Sequence, residues 1–167
     1  DVEILPNGNI LMIVAELIDE ATATNNGCIS EAFRYSEKII EINPSNNQIV
    51  WEWRAWDHLV QDTDPNKPNY GDISENPHRI NINYEFDGSD PDWLHFNSVD
   101  YNPELDQIML STPFFDEIWI IDHSTSIIEA QESTGGYSGK GGDLLYRWGN
   151  PAAYNRGDNT DKVLDFQ

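Results

Sequence analysis

Apolar and polar positions alternate along most of this chain with a period near two, the spacing of strands rather than helices. Residues 2–5 and 10–17 flank Pro6-Asn7-Gly8-Asn9, and residues 37–42 and 48–53 flank Asn43-Pro44-Ser45-Asn46-Asn47. Turn-forming residues between two β-rich runs predict hairpins. The pattern recurs at 97–101 and 107–111, around Asn102-Pro103-Glu104-Leu105-Asp106, and continues through 117–122 and 144–148. Pro103 follows Pro6 by 97 residues and Trp148 follows Trp53 by 95. Ile39-Ile40-Glu41-Ile42 also resembles Ile118-Trp119-Ile120-Ile121. The chain therefore reads as two units of four strands, ending in the aromatic pairs Trp51/Trp53 and Tyr146/Trp148.

Four antiparallel strands per repeat is the plan of a propeller blade, and a blade must stack on others to bury its faces. The expected fold is all-β, with antiparallel four-stranded blades forming about two blades of a larger propeller. The competing architecture is a compact sandwich of eight strands. In the propeller reading, residues 1–56 form the first blade and 57–94 a long connection. Residues 95–149 form the second blade, and 150–167 begin a further segment of this single partial domain. The remaining blades would be its partners, and unpaired edges would favour association. The polar stretch 54–91 is expected to be functional or mobile, as long connections usually are. A second loop, 123–142, carries Gly135-Gly136-Tyr137-Ser138-Gly139-Lys140-Gly141-Gly142.

Composition narrows the partners. The 167 residues suffice for one domain with a core. Hydrophobic residues make up only 38 % of the chain. Six Trp, seven Tyr and six Phe nevertheless argue against disorder. Nine Lys and Arg against 30 Asp and Glu give a net charge of −21, which repels nucleic acid and anionic membrane. Any anion site must be locally polarised against that field. Cys28 is the single cysteine, so no intrachain disulfide forms. No apolar run reaches the ~18 residues of a membrane-spanning helix. The chain begins at Asp1, without Met or signal peptide, which suggests a processed product or a piece of something longer.

Most candidate motifs fail on inspection. The Gly139-Lys140 loop has Gly141 where a phosphate-binding loop needs Ser or Thr. Asp62, Asp64 and Asn66 have calcium-loop spacing, but Lys67 occupies the glycine position and Ile73 the twelfth. Asp87, Asp90 and Asp92 remain a candidate for calcium in another geometry. His58, His78, His95 and His123 give no zinc-type pair, and no Gly-x-Ser-x-Gly supports a serine hydrolase. With 30 acids, a carboxylate pair for glycoside hydrolysis carries no information. Neither a metal nor a cofactor is expected. His123 reads as a turn residue at a strand end. His58, after the Trp51/Trp53 strand, is either structural or lines a site near the blade end.

The most informative stretch is Asp92-Trp93-Leu94-His95-Phe96-Asn97-Ser98-Val99. If it is a strand, His95 and Asn97 project to one side, and both side chains can donate hydrogen bonds to a tetrahedral oxyanion. Trp93 and Phe96 would supply apolar walls. The alternative is a satisfied edge histidine beside a turn asparagine.

Five segments in order carry a resemblance. They are Asp-Val-Glu-Ile-Leu-Pro-Asn-Gly-Asn-Ile-Leu-Met at 1–12, Trp-Glu-Trp-Arg-Ala-Trp-Asp-His at 51–58, Asp-Trp-Leu-His-Phe-Asn-Ser-Val at 92–99, Glu-Ile-Trp-Ile-Ile-Asp at 117–122 and Leu-Tyr-Arg-Trp-Gly at 145–149. Together they resemble the bacterial arylsulfate sulfotransferase (arylsulfotransferase) family across essentially the whole chain. The resemblance implies a six-bladed β-propeller and a periplasmic or secreted location. It also implies transfer of a sulfuryl group from a phenolic sulfate ester to a phenol, without a nucleotide donor, through a transiently sulfated histidine. His95 and Asn97 match the family's His-x-Asn sulfate pocket. His58, Arg147 and Trp93 are weaker substrate-binding candidates. Three departures follow. The family's histidine before the Asp1 position lies outside this chain, and its nucleophile falls at or beyond Gln167. Leu110-Ser111-Thr112-Pro113 stands where the family has a Leu-Ser-Ser-Arg type of strand, so an arginine is replaced by Pro113. Arg147 or Arg54 are candidates to compensate. The alternatives are a non-catalytic propeller that binds a ligand or partner, and a sulfatase-like hydrolase with water as acceptor.

Overall fold

The computed structural model describes residues 1–30, 34–85 and 90–163. It is all-β, with two four-stranded antiparallel sheets and few helices. The first sheet is a meander of β1 (Val2–Ile4), β2 (Ile10–Ile18), β3 (Arg34–Asn43) and β4 (Gln48–Arg54). After a parallel pair, β5 (Leu59–Val60) and β6 (Ile80–Asn81), the second sheet follows. It is a meander of β7 (Ser98–Asn102), β8 (Gln107–Thr112), β9 (Glu117–Asp122) and β10 (Tyr146–Trp148). All eight expected strands are present in these two sheets, and neither sheet closes on itself.

Local chemistry explains the hairpins. Asn7 Oδ1 accepts from Asn9 N at 2.9 Å, and Asn43 Oδ1 from Ser45 N at 2.9 Å. Asn102 Oδ1 accepts from Glu104 N at 3.0 Å and Leu105 N at 3.1 Å. These Asx turns close each expected loop without help from the other sheet. Asn47 and Asp106 hold the left-handed backbone that ends their loops, at φ of 58° and 52°. Asn and Asp tolerate this region better than most residues.

The sheets share one apolar core. Leu11, Ile39 and Trp53 from the first, and Ile108, Leu110, Trp119 and Ile121 from the second, are fully buried within it. Each such side chain contributes about 1.5–3 kcal/mol. Phe96 is the wedge, stacked at 6.4 Å from Trp53 and edge-on at 5.6 Å from Trp119. Polar links also cross between the sheets. His123 contacts Glu41 Oε2 at 2.9 Å with Nε2 and Asp106 Oδ1 at 2.7 Å with Nδ1. Trp51 Nε1 donates to Thr125 Oγ1 at 3.0 Å.

Three details differ from the expectation. A short helix, α1 (Glu20–Asn25), separates β2 from β3, capped by Asp19 accepting from Thr22 N. The stretch 54–91 carries the β5/β6 pair, so its described part is not a structureless connection. The aromatic pairs share a strand position but not a face. Trp51 and Trp53 are buried, whereas Tyr146 and Trp148 are exposed around buried Arg147. The register pairs Trp53 with inward Ile39 but Trp148 with Ile118. The alternation is therefore out of phase between the units, and a one-residue offset exchanges the two faces of a strand.

Candidate functional site

The loop 92–97 joins the first sheet to β7, the edge strand of the second. Tyr35 at the start of β3 donates its N–H to Pro91 O at 2.7 Å, and Thr112 Oγ1 donates to Leu94 O at 2.8 Å. Asn97 N then donates to Ser111 O at 3.3 Å and leads the chain into β7. Between these anchors the side chains sort by polarity. Trp93, Leu94 and Phe96 enter the core, while His95 and Asn97 face solvent.

This arrangement is not the strand that would have aligned His95 with Asn97, because β7 begins only at Ser98. His95 adopts a left-handed conformation with φ 54°. Such a backbone costs a non-glycine residue about 1–3 kcal/mol. The turn at His95 lets the apolar residues on either side reach the core while its own ring stays outside. Its Nδ1 meets Asp92 Oδ2, and the half-exposed ring stacks on Phe114 at 5.0 Å with 13° between planes. The Asp92 carboxylate accepts from Nδ1 and so orients the ring. Asn97 sits beside a hydroxyl pair. Ser111 Oγ donates to Asn97 Oδ1, and Ser98 Oγ lies 2.6 Å from Ser111 Oγ. Asp1 closes this end of the first sheet, its Oδ2 accepting from Val99 N at 3.2 Å.

Beneath the loop lies Glu37, on the inner face of β3 and nearly fully buried, with Oε2 lacking a hydrogen-bond partner. Burial first, and the nearby Asp92 carboxylate second, push its pKa from 4.5 up to about 8. Both causes disfavour the charged form of a carboxyl group. The backbone N–H groups of Phe96 and His95 oppose this rise without cancelling it. At neutral pH this is a protonated carboxylic acid under the His95 turn.

The other candidates lie elsewhere. His58 is fully buried, with Nδ1 2.9 Å from Asp143 Oδ1 and Nε2 2.9 Å from Ala130 O. Its ring stacks at 5.6 Å on the face of Trp53, which in turn stacks on Phe96. Arg79 Nε and His78 Nε2 approach the same Asp143, at 3.1 and 3.8 Å. Trp93 is buried edge-on against Trp56 at 5.9 Å and Phe115 at 6.1 Å. Arg147 is buried under Trp119 and Tyr154, and its guanidinium engages Glu117. Burial raises the Glu117 carboxyl, opposed chiefly by Arg147. Arg54 is likewise paired with Glu16. The structure thus brings Asp92, His95, Phe114 and Glu37 to one loop and Asn97, Ser98 and Ser111 to the adjoining strand ends. It does not bring His58, Arg147 or the Trp93 ring onto that surface.

Sequence reasoning missed Glu37, Ser111 and the pairing of Asp92 with His95. Glu37 was marked only by an acid on the inward phase of β3, beside Ile39. Among the described residues no group of His, Cys, Asp and Glu is arranged to hold a metal. Asp87 of the proposed calcium set lies outside the described residues. The Gly-rich loop packs rather than cradles. Gly142 O accepts from Trp53 Nε1 at 2.7 Å, and a Cβ on Gly142 would lie 2.1 Å from Ala130 O and 2.6 Å from His58 Nε2.

The two meanders, with the exposed imidazole of His95 and carboxamide of Asn97 in the segment leading into β7, define an all-β protein with a polar surface at the sheet ends. A family model described as Arylsulfotransferase (ASST) matches residues 1–138. The chain belongs to the arylsulfotransferase family. That membership supports an arylsulfotransferase-like function in general and a sulfotransferase-type enzyme. No curated protein and no solved structure matches the chain. Among the described residues no helix is long and apolar enough to cross a membrane.

Proposed function

We propose that this chain supplies one wall of a sulfuryl-transfer site, and that the complete site moves a sulfuryl group from a phenolic sulfate ester to a phenol. The observation that carries the proposal is the exposed pair His95 and Asn97 within the family match, held by Asp92 and Ser111. Asn97 donates to a sulfuryl oxygen, where negative charge must be held in the transition state. His95, its Nδ1 fixed by Asp92, exchanges a proton with the phenolic oxygen through Nε2.

In this reading the sulfated histidine, by the family's pattern, lies outside this chain, and His95 assists it. His58 and His123 each have both ring nitrogens engaged, and His78 faces Asp143. The reading also places the two sheets as two blades of a six-bladed propeller in the periplasm. Asp1 binds Val99, so the histidine that the family has before this position would emerge beside Asn97. The test is mass spectrometry of the full-length protein with p-nitrophenyl sulfate. Release of nitrophenol with a sulfated histidine, accelerated by added phenol, is expected. Absence of both products refutes the reading, and release without dependence on phenol indicates a hydrolase.

One observation favours a second reading, a non-catalytic binding module. Pro113 occupies the arginine position, and Arg147 and Arg54 are already paired with Glu117 and Glu16. Binding of an aryl sulfate without turnover would select it.

A further inference from the structure

Ser111 on β8 pairs with Ser98 on β7 and is buried at the sheet end. It touches Asn97 twice, its carbonyl accepting the Asn97 N–H and its hydroxyl donating to Asn97 Oδ1. A serine hydroxyl carries a single proton. With that proton on Asn97 Oδ1, the 2.6 Å contact between the two serine oxygens is a bond donated by Ser98 to Ser111. The relay therefore runs from Ser98 through Ser111 to the amide oxygen. Asn97 Nδ2 has no partner among the described residues, and the side chain is exposed. An amide oxygen turned toward a sulfuryl group repels it, whereas the two N–H donors attract it. When an oxyanion faces Nδ2, Oδ1 must face Ser111, and the Ser111 proton satisfies it. Pro113, directly after β8, stands where the family resemblance leads one to expect an arginine, so a neutral donor has more of the oxyanion to hold. Thr112, next to Ser111, hooks Leu94 O and fixes the other end of the loop.

We propose that Ser111, backed by Ser98, is a positioning residue that turns the Asn97 carboxamide so that its Nδ2 donors meet a sulfuryl oxyanion. The proposal rests on the reading of Asn97 as a sulfate-pocket residue. It is tested on the full-length protein, in which the site is complete, with inorganic sulfate as the probe, at ionic strength held constant with chloride. The readout is the Asn97 side-chain NH2 pair in a two-dimensional 15N–1H NMR spectrum.

Sulfate is expected to shift this pair saturably together with the backbone amides of Asn97, Ser98 and Ser111, and Asn97→Ala, which lacks the side-chain pair, to remove the saturable backbone response. Ser111→Ala weakens the fitted affinity roughly three- to ten-fold, the effect of losing one neutral hydrogen bond. Ser111→Thr, which keeps the hydroxyl, restores it. Ser98→Ala gives a smaller loss, because Ser111 retains its own proton. Urea midpoints and backbone spectra of the variants report whether each remains folded. A merely structural role would not make affinity follow the hydroxyl in Ser, Ala and Thr variants of equal stability. If Asn97→Ala abolishes the response and Ser111→Ala leaves the affinity unchanged, the positioning role is overturned and the sulfate-pocket reading stands. If sulfate leaves the Asn97 pair unmoved in the unaltered chain, the sulfate-pocket reading fails, and the relay with it. Should Ser111→Ala unfold, the comparison of Ser98→Ala with Ser111→Thr decides, and equal affinities in the two overturn the relay.

Discussion

Replacing Glu37 by glutamine gives a pH-dependent change in stability that can be worked from its surroundings. Glu37 is almost fully buried, and its pKa is pushed from 4.5 up to about 8 by burial and by Asp92. Well below pH 4.5 the carboxyl is protonated in both the folded and the unfolded chain and contributes no slope. Between 4.5 and about 8 the unfolded chain has released the proton while the folded chain retains it. Stability is therefore lost as pH rises, by about 1.4 kcal/mol per pH unit and at most about 5 kcal/mol over the window. Native domains hold only about 5–15 kcal/mol, so the effect is large. Glu37→Gln keeps the shape of the protonated acid and removes the titration. Its stability relative to the unaltered chain is expected to rise steadily from pH 5 to 8 and then to level off. Any constant cost of the amide shifts this difference curve without tilting it. Urea unfolding followed by tryptophan fluorescence at half-unit pH steps measures the curve. A flat difference across that range refutes the assignment of a buried, protonated Glu37. Asp92→Asn removes the second cause of the rise, so the slope should end at lower pH.

Three other substitutions probe the scaffold. His123→Ala removes one partner each from Glu41, which keeps Asn7 and Asn9, and from Asp106, which keeps the Tyr101 hydroxyl, at the junction of the sheets. It should cost about 2–4 kcal/mol in urea unfolding. Arg147→Met leaves Glu117 buried without its counter-charge. It should cost about 3–5 kcal/mol, and the double variant Arg147→Met/Glu117→Leu should recover much of that loss. Gly142→Ala brings a methyl group within 2.1 Å of Ala130 O. It should destabilise by about 1–3 kcal/mol or more and disturb the Trp53 environment seen in near-ultraviolet circular dichroism.

The parts of this protein legible in the sequence are those governed by short-range rules. A period of two placed eight strands, and Asn-, Pro- and Gly-bearing loops placed the hairpins, because an Asx turn is made by residues two apart. The 92–99 segment stood out in the sequence as the candidate site from its composition. Its geometry was not, because the left-handed turn at His95 exists only where Trp93, Leu94 and Phe96 find a core on both sides of it. The 54–91 stretch concealed the β5/β6 pair for the same reason. Its two short strands are separated by polar chain and have no periodicity of their own.

Packing sorted the polar groups into chemistry and scaffold. His58, Arg147 and Trp93 looked like site residues by type, yet their partners come from Asp143, Glu117 and Phe115, which are far away in sequence. Glu37 looked like one more acid among 30, and only its burial, with the Asp92 carboxylate close by, makes it a proton-holding group. Strands, hairpins and the segment bearing His95 and Asn97 needed nothing beyond the order of residues, because periodicity and turn chemistry act within a few positions. The protonation of Glu37, the solvent-facing His95 and the orientation of Asn97 arise only where β3, the 92–97 loop and β8 meet, because desolvation and hydrogen bonding depend on what the folded chain brings alongside.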